Sequence, residues 1–253
     1  MSKTIVTAHS GCEDTPRDSM ESIDAALRLG ADAIEVDVRV DEKGDLRISH
    51  NAVLQTEYET KPRFSDVLEK IRDTQLKLNC DVKEPAALYA LLREAKQYGF
   101  TRDRLILTGC VSPEQLVRDS GIVKAARAVV NVEEVFKVLF LYHSDEFTIG
   151  MYYDLMSHPM DYLKGLFDSE TMAPYIEDFI KLLKYCGADA CNMPYAMLDM
   201  PVIPALKEAG IPISVWTVDD AEIVEKCLDC GVWNITTRKV QQALEVKSGS
   251  KSD

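Results

Sequence analysis

Residues 31–40 read ADAIEVDVRV, and the alternation in that run decides the fold. Side chains on a strand alternate between its faces. Glu35 and Asp37 therefore share one face, while Ile34, Val36 and Val38 share the other. The apolar face suits packing against helices. Two carboxylates on the opposite face repel, and burying them is costly unless a cation or protons compensate. In a closed barrel of parallel strands they point inward near the strand's C-terminal end, where active sites form. A divalent metal ion is the natural compensator.

The next strand-like stretch, LKLNCDVK at 76–83, repeats the theme. Lys77, Asn79, Asp81 and Lys83 share a face, and Leu76, Leu78, Cys80 and Val82 share the other. Asp81 on the neighbouring strand, at a similar height, completes an all-oxygen set with Glu35 and Asp37. Hard carboxylate oxygens suit Mg²⁺ or Ca²⁺ better than Zn²⁺. Lys83 then either faces a phosphate as a point charge or pairs only with Asp81 at the strand end.

Further outward, strands and helices alternate through most of the chain. TIVTAHS, RLILTGC, RAVVNV, ADACNMPY, PISVWTV and VWNITT bring the strand-like runs to eight. Between most of them lie helical runs: MESIDAALRLG, FSDVLEKIRD, AALYALLREAKQYG, PEQLVRDSG, VIPALKEAG and AEIVEKCLDCG. Eight such repeats in 253 residues predict an α/β fold, a (β/α)₈ TIM barrel forming one domain over residues 1–246. No GxGxxG follows the first strand, which argues against a dinucleotide-binding sheet. Asp18 with Glu21 reads as a capping box opening the first helix. The connection after the fifth strand is over-long. Residues 133–184, rich in Met, Tyr and Phe, are expected as a helical insertion near the C-terminal mouth of the barrel. The polar tail 247–253, KSGSKSD, is expected to be disordered.

Four histidines are present. His9 ends the first strand and His50 follows the second across the turn DEKGD, so both fall where the first two loops of a barrel converge. Hydrolysis of a phosphodiester requires one proton removed from a nucleophile and one delivered to the leaving oxygen, and two histidines can divide those tasks. His143 and His158 fall in the insertion and read as surface or packing residues.

Composition limits the partners. The net charge of −13 argues against nucleic acid and against electrostatic docking on anionic membranes. A small phosphorylated substrate remains compatible, given local basic groups and a cation. The seven cysteines, an odd number mostly within apolar runs, read as free thiols in a reducing compartment. Cys227 and Cys230 have CxxC spacing inside an amphipathic helical run, without a second pair to complete a zinc site. MSKTIVTAHSG has no signal-peptide core and no apolar run reaches spanning length. A cytoplasmic location is the expectation.

Taken together, AHSG, GADAIEVDV and ISHN stand in an order that resembles the glycerophosphodiester phosphodiesterase family, whose pattern is HRG, then ExD, then HD. NCDVKE resembles the family strand with the last acidic metal ligand and a lysine. VWTVDD and GVWNITT resemble its seventh and eighth strands. The resemblance implies an acid–base pair at His9 and His50, a divalent metal held by Glu35, Asp37 and Asp81, a phosphate contact at Lys83, and a pocket wall at Trp216. It implies cleavage of glycerophosphodiesters to glycerol 3-phosphate and an alcohol. The chain departs from the pattern at several points. Ser10 stands where the family usually has a phosphate-binding arginine. Arg17 falls where a glutamate is usual and is a candidate to reach the phosphate instead. Asn51 and Thr237 replace aspartates, and Asp81 is shorter than the usual glutamate. Two alternatives stay open: a sphingomyelinase D-like or other phospholipid phosphodiesterase, and a barrel that binds phosphorylated ligands without cleaving them.

Overall fold

The computed structural model of the protein describes residues 4–142 and 173–249. Nine strands are assigned: β1 (Ile5–Ala8), β2 (Ala33–Val40), β3 (Leu46–Ile48), β4 (Lys77–Val82), β5 (Leu105–Gly109), β6 (Arg127–Asn131), β7 (Ala190–Pro194), β8 (Ile213–Trp216) and β9 (Asn234–Thr237). Eight of them pair in parallel, and β1 pairs with both β2 and β9, so the sheet closes. This is the (β/α)₈ barrel expected from the alternation. The ninth, β3, was not expected. It runs antiparallel to β2 after the turn Asp41–Asp45 and carries the chain back to His50.

Alternating strand faces divide the core in two. Val36, Val38, Cys80, Leu107, Val130, Met193 and Val215 face outward into the apolar layer shared with the helices. Inside the barrel lies a plug of Ile106, Val129 and Ala190, with Ile5 and Trp233 against it. Above the plug sits a buried polar belt. Thr7 donates to Asn234 at 2.6 Å, Thr108 to Asn79 at 3.1 Å, Asn192 to Asn131 at 2.8 Å and Asn234 to Ser214 at 2.9 Å. Buried polar groups of this kind are tolerated because each is paired. The belt floors the C-terminal mouth.

The helices largely follow the amphipathic runs, with three corrections. Helix α1 (Met20–Leu29) is capped by Ser19, whose hydroxyl accepts the Ser22 N–H at 3.2 Å, not by an Asp18–Glu21 capping box. Asp18 is committed elsewhere, as described below. PEQLVRDSG splits into α4 (Pro113–Arg118) and α5 (Gly121–Ala125), after α2 (Phe64–Ile71) and α3 (Ala87–Gln97). The C-terminal helix (Val240–Gly249) extends past the expected start of the disordered tail. Lys247 is buried there, its ammonium on Asp32 at 2.5 Å.

The fifth barrel strand leads directly into α6 (Val132–Tyr142), and α7 (Ala173–Cys186) precedes the sixth; Phe136 and Phe179 pack between them with ring centroids 5.5 Å apart. These ends of the over-long connection are helical. Its remainder, with His143 and His158, lies outside the described residues. Cys227 is buried on the helix Ala221–Asp229, with Cys230 just beyond it, and both are free thiols. Among the described residues no helix is long and apolar enough to cross a membrane.

Candidate active site

Parallel register places the carboxylates. Asp37 on β2 is level with Asp81 on β4, and Glu35 is level with Asn79. One oxygen from each of Glu35, Asp37 and Asp81 lies within 4.8 Å of the others. Glu35 and Asp37 are only 5% and 3% exposed, so their charges are poorly solvated. Burial, then the charges of Asp37 and Asp81, push the Glu35 carboxyl well above its ordinary range. Burial also raises Asp37, and Asp81 adds to the effect, while Lys83 opposes it. The Lys83 ammonium lies 2.7 Å from Asp37 and 2.6 Å from Asp81. Burial alone lowers its pKa, but the two carboxylates outweigh burial and hold it above the ordinary lysine range. One ammonium thus balances part of a charge of three carboxylates. A set of hard oxygen donors this close fits a divalent cation such as Mg²⁺ or Ca²⁺.

Space for Asp81 comes from the next strand. Gly109 has φ +79°, and a Cβ there would stand 2.2 Å from Asp81 Oδ1 and 2.3 Å from the Val82 carbonyl oxygen. Only glycine fits such a close approach at positive φ.

Ser10 organises the first loop. Its backbone N–H donates to Glu35 Oε2 at 3.0 Å, and its carbonyl oxygen lies 2.8 Å from His9 Nδ1. A carbonyl oxygen only accepts, so Nδ1 carries the proton and Nε2 is left with its lone pair. Burial lowers the His9 pKa below its ordinary value of 6.5, against the Ser10 hydrogen bond and the charge of Asp37, which favour the protonated form. The Ser10 hydroxyl donates to Asp18 Oδ1 at 3.2 Å and accepts the Asp18 N–H at 2.8 Å. Asp18 Oδ2 in turn accepts the backbone N–H of His50 at 2.9 Å. This network explains the displaced helix cap: Asp18 sits at φ 54°, with its carboxylate turned to the two histidine loops. His50 itself is exposed, with Nδ1 3.3 Å from Asn51 Oδ1.

His9, Arg17, Glu35, Asp37, His50, Asp81, Lys83 and Trp216 all line one cavity of about 440 Å³ at the mouth of the barrel. The structure therefore brings together the eight candidate site residues named from the sequence. Among the described residues Arg17 makes no ion pair, and the buried Trp216 indole N–H has no hydrogen-bond partner. Thr237, in place of the family aspartate, is buried and bonds Asp219, which also holds Arg238. Sequence reasoning missed the far wall: Asn131, Glu133, Glu134, Lys137 and Asn192. A signal existed, since Asn131 and Asn192 are lone polar residues inside apolar strand runs.

Comparison with known proteins bears out the resemblance. A glycerophosphodiester phosphodiesterase of Caldanaerobacter subterraneus subsp. tengcongensis is 26% identical over 249 residues, covering 93% of this chain and 94% of that protein. No protein-family model matches the sequence. Among solved structures, the glycerophosphodiester phosphodiesterase of Thermotoga maritima superposes with a TM-score of 0.65 at 18% identity, over 97% of this chain and 99% of the other. The enzyme of that name from Agrobacterium tumefaciens gives 0.63 at 20% identity, over 96% and 99%. An Oleispira antarctica phosphodiesterase, in complex with the product sn-glycerol-3-phosphate, gives 0.63 at 13% identity, over 96% of each chain.

Proposed function

We propose that this chain, similar along its length to the glycerophosphodiester phosphodiesterases, is a metal-dependent phosphoric diester hydrolase. It cleaves glycerophosphodiesters to glycerol 3-phosphate and an alcohol. The observation that carries this reading is the meeting of two histidines and three carboxylates around one cavity. A binding module has no need of two proton-transfer groups beside a cation site.

Glu35, Asp37 and Asp81 would hold the cation. A divalent ion bound there supplies Lewis-acid polarisation of a phosphate oxygen. His9, neutral and with Nε2 free, is the general base toward the nucleophile, either water or a neighbouring substrate hydroxyl whose cyclic phosphate water then opens. His50, at the rim, is the general acid that protonates the leaving oxygen. Lys83 and Arg17, the latter without an ion pair among the described residues, are the cationic groups for the phosphate, Arg17 standing in for the arginine that Ser10 replaces. Trp216 forms a wall of the substrate pocket.

The test is a panel of soluble glycerophosphodiesters and one micellar phospholipid, assayed with Mg²⁺ or Ca²⁺ and with chelator. Turnover of the soluble diesters that chelator abolishes is expected. Turnover confined to the micellar substrate would transfer the reading to a phospholipid phosphodiesterase. Binding without any hydrolysis would reduce the protein to a phosphate-ligand receptor.

A further inference from the structure

The wall of the cavity that faces the histidines carries a carboxylate with no role in the proposed reaction. Glu133 lies in the first turn of α6, just beyond the fifth strand of an eight-strand barrel, and so stands across the mouth from His9 on the first. Asn131 donates to Glu133 Oε1 at 2.8 Å, and Asn192, its register partner on the next strand, donates to Asn131 at 2.8 Å. Two buried amides on rigid strands thus align their donors toward one carboxylate. Such a relay holds a charged group in place and polarises toward it.

Among the described residues that carboxylate has no cation in ion-pair contact, and the Lys137 ammonium favours its charge only from farther off. The nearby ammonium, Lys137, is engaged by Glu134 one turn along the same helix, and Glu133 forms no ion pair among the described residues. Burial pushes the Glu133 carboxyl above its ordinary range and the Glu134 charge adds to this, while its own backbone N–H, the Asn131 hydrogen bond and the Lys137 charge work against it. A carboxylate held this way in a cavity wall favours an arriving cation. Arg17, without an ion pair among the described residues, lines the histidine side of the cavity, and Glu133 lines the far side with Glu134 and Lys137. Trp216 lines the cavity with its indole N–H buried, so its accessible surface is ring carbon, the surface that ammonium ions favour.

We infer that Glu133, set by Asn131 and Asn192, is the subsite for a positively charged head group on the leaving alcohol. The ligand class is an alkylammonium alcohol esterified to phosphate. This deepens the diester-hydrolase reading and rests on it.

The experiment compares glycerophosphocholine with glycerophosphoglycerol, which has a neutral head group, in wild type, Glu133→Gln and Glu133→Asp with saturating divalent cation. In Glu133→Gln, kcat/KM for the choline ester should fall roughly 10- to 100-fold, as for loss of a desolvated charge pair. That for the glycerol ester should stay within about twofold, the scatter expected of a contact the neutral substrate does not make. Glu133→Asp should keep the preference for choline. An equal fall on both esters, or no fall on the choline ester, overturns the subsite. A wild-type preference for the neutral ester also overturns it. If wild type cleaves neither ester, the hydrolase reading fails by itself. Calorimetry with phosphocholine then decides the subsite: weaker binding by Glu133→Gln supports it, and equal binding overturns it.

Discussion

The carboxylate of Asp18 holds the backbone N–H of His50 at 2.9 Å while its other oxygen accepts the Ser10 hydroxyl. Through that one side chain the loop of His9 is tied to the loop of His50. Removing it leaves a part-buried N–H without its acceptor, at a cost of about 1 kcal/mol. Asp18→Ala should lower the melting temperature and also cut kcat, because misplacing a reacting group by about 1 Å can cost on the order of 100-fold. Thermal unfolding and steady-state kinetics on one soluble diester measure both. A stability loss with unchanged kcat would make Asp18 merely structural.

His9 sets an acid limb. Its folded pKa is below the ordinary 6.5, and the base form is the neutral one. Activity should therefore persist somewhat below pH 6.5 and fall as pH drops through the lowered pKa. The stability contribution has the same sign, because the unfolded chain takes up the proton first. It is intact above the unfolded pKa and is lost as pH falls. The pH profile of kcat/KM checks this, and an acid limb above pH 6.5 would count against His9 as the base. His9→Ala and His50→Ala should each cost roughly 10²–10⁴-fold in turnover with the fold retained.

Lys83 competes with a cation for Asp37 and Asp81. Calorimetry on chelator-treated protein should show one divalent-ion site, lost when Glu35→Gln is combined with Asp37→Asn. Lys83→Met removes an ammonium 2.6 Å from Asp81 and should tighten ion binding several-fold while lowering turnover. Binding unchanged by the double substitution would mean that the site is misassigned.

Gly109→Ala is a steric test of the same centre. Its Cβ would stand 2.2 Å from Asp81 Oδ1, so either Asp81 or the strand must move. Overpacking of this kind costs about 1–3 kcal/mol. Reduced melting temperature together with weaker ion binding is expected. Normal ion binding would show that the strand yields and leaves Asp81 in place.

The barrel was legible because ADAIEVDVRV and LKLNCDVK separate polar and apolar faces by parity, and register alone then levels Asp37 with Asp81. The family motifs carried the rest of the candidate site. Other features depend on contacts that no local pattern encodes. Asp18 matches a capping box in sequence, yet Ser10 and His50, 8 and 32 positions away, claim its carboxylate. Lys247 looks like part of a polar tail, but Asp32 lies beneath it after the barrel closes. Glu133 escaped notice because the insertion was read as a unit, although its first turn belongs to the barrel mouth.

Closure of the barrel joins the two extremes of the chain. The β1–β9 seam is reinforced by Thr4 donating to the Val232 carbonyl, 228 positions away. A ribosome emitting this chain must produce nearly all of it before that seam can form. Until then β1 and β8 each present an open edge, the kind of edge that templates aggregation. The largest loop is also the last to close, which favours slow folding. Chaperones that shelter strand edges would therefore raise the yield of this protein more than agents that stabilise its native state.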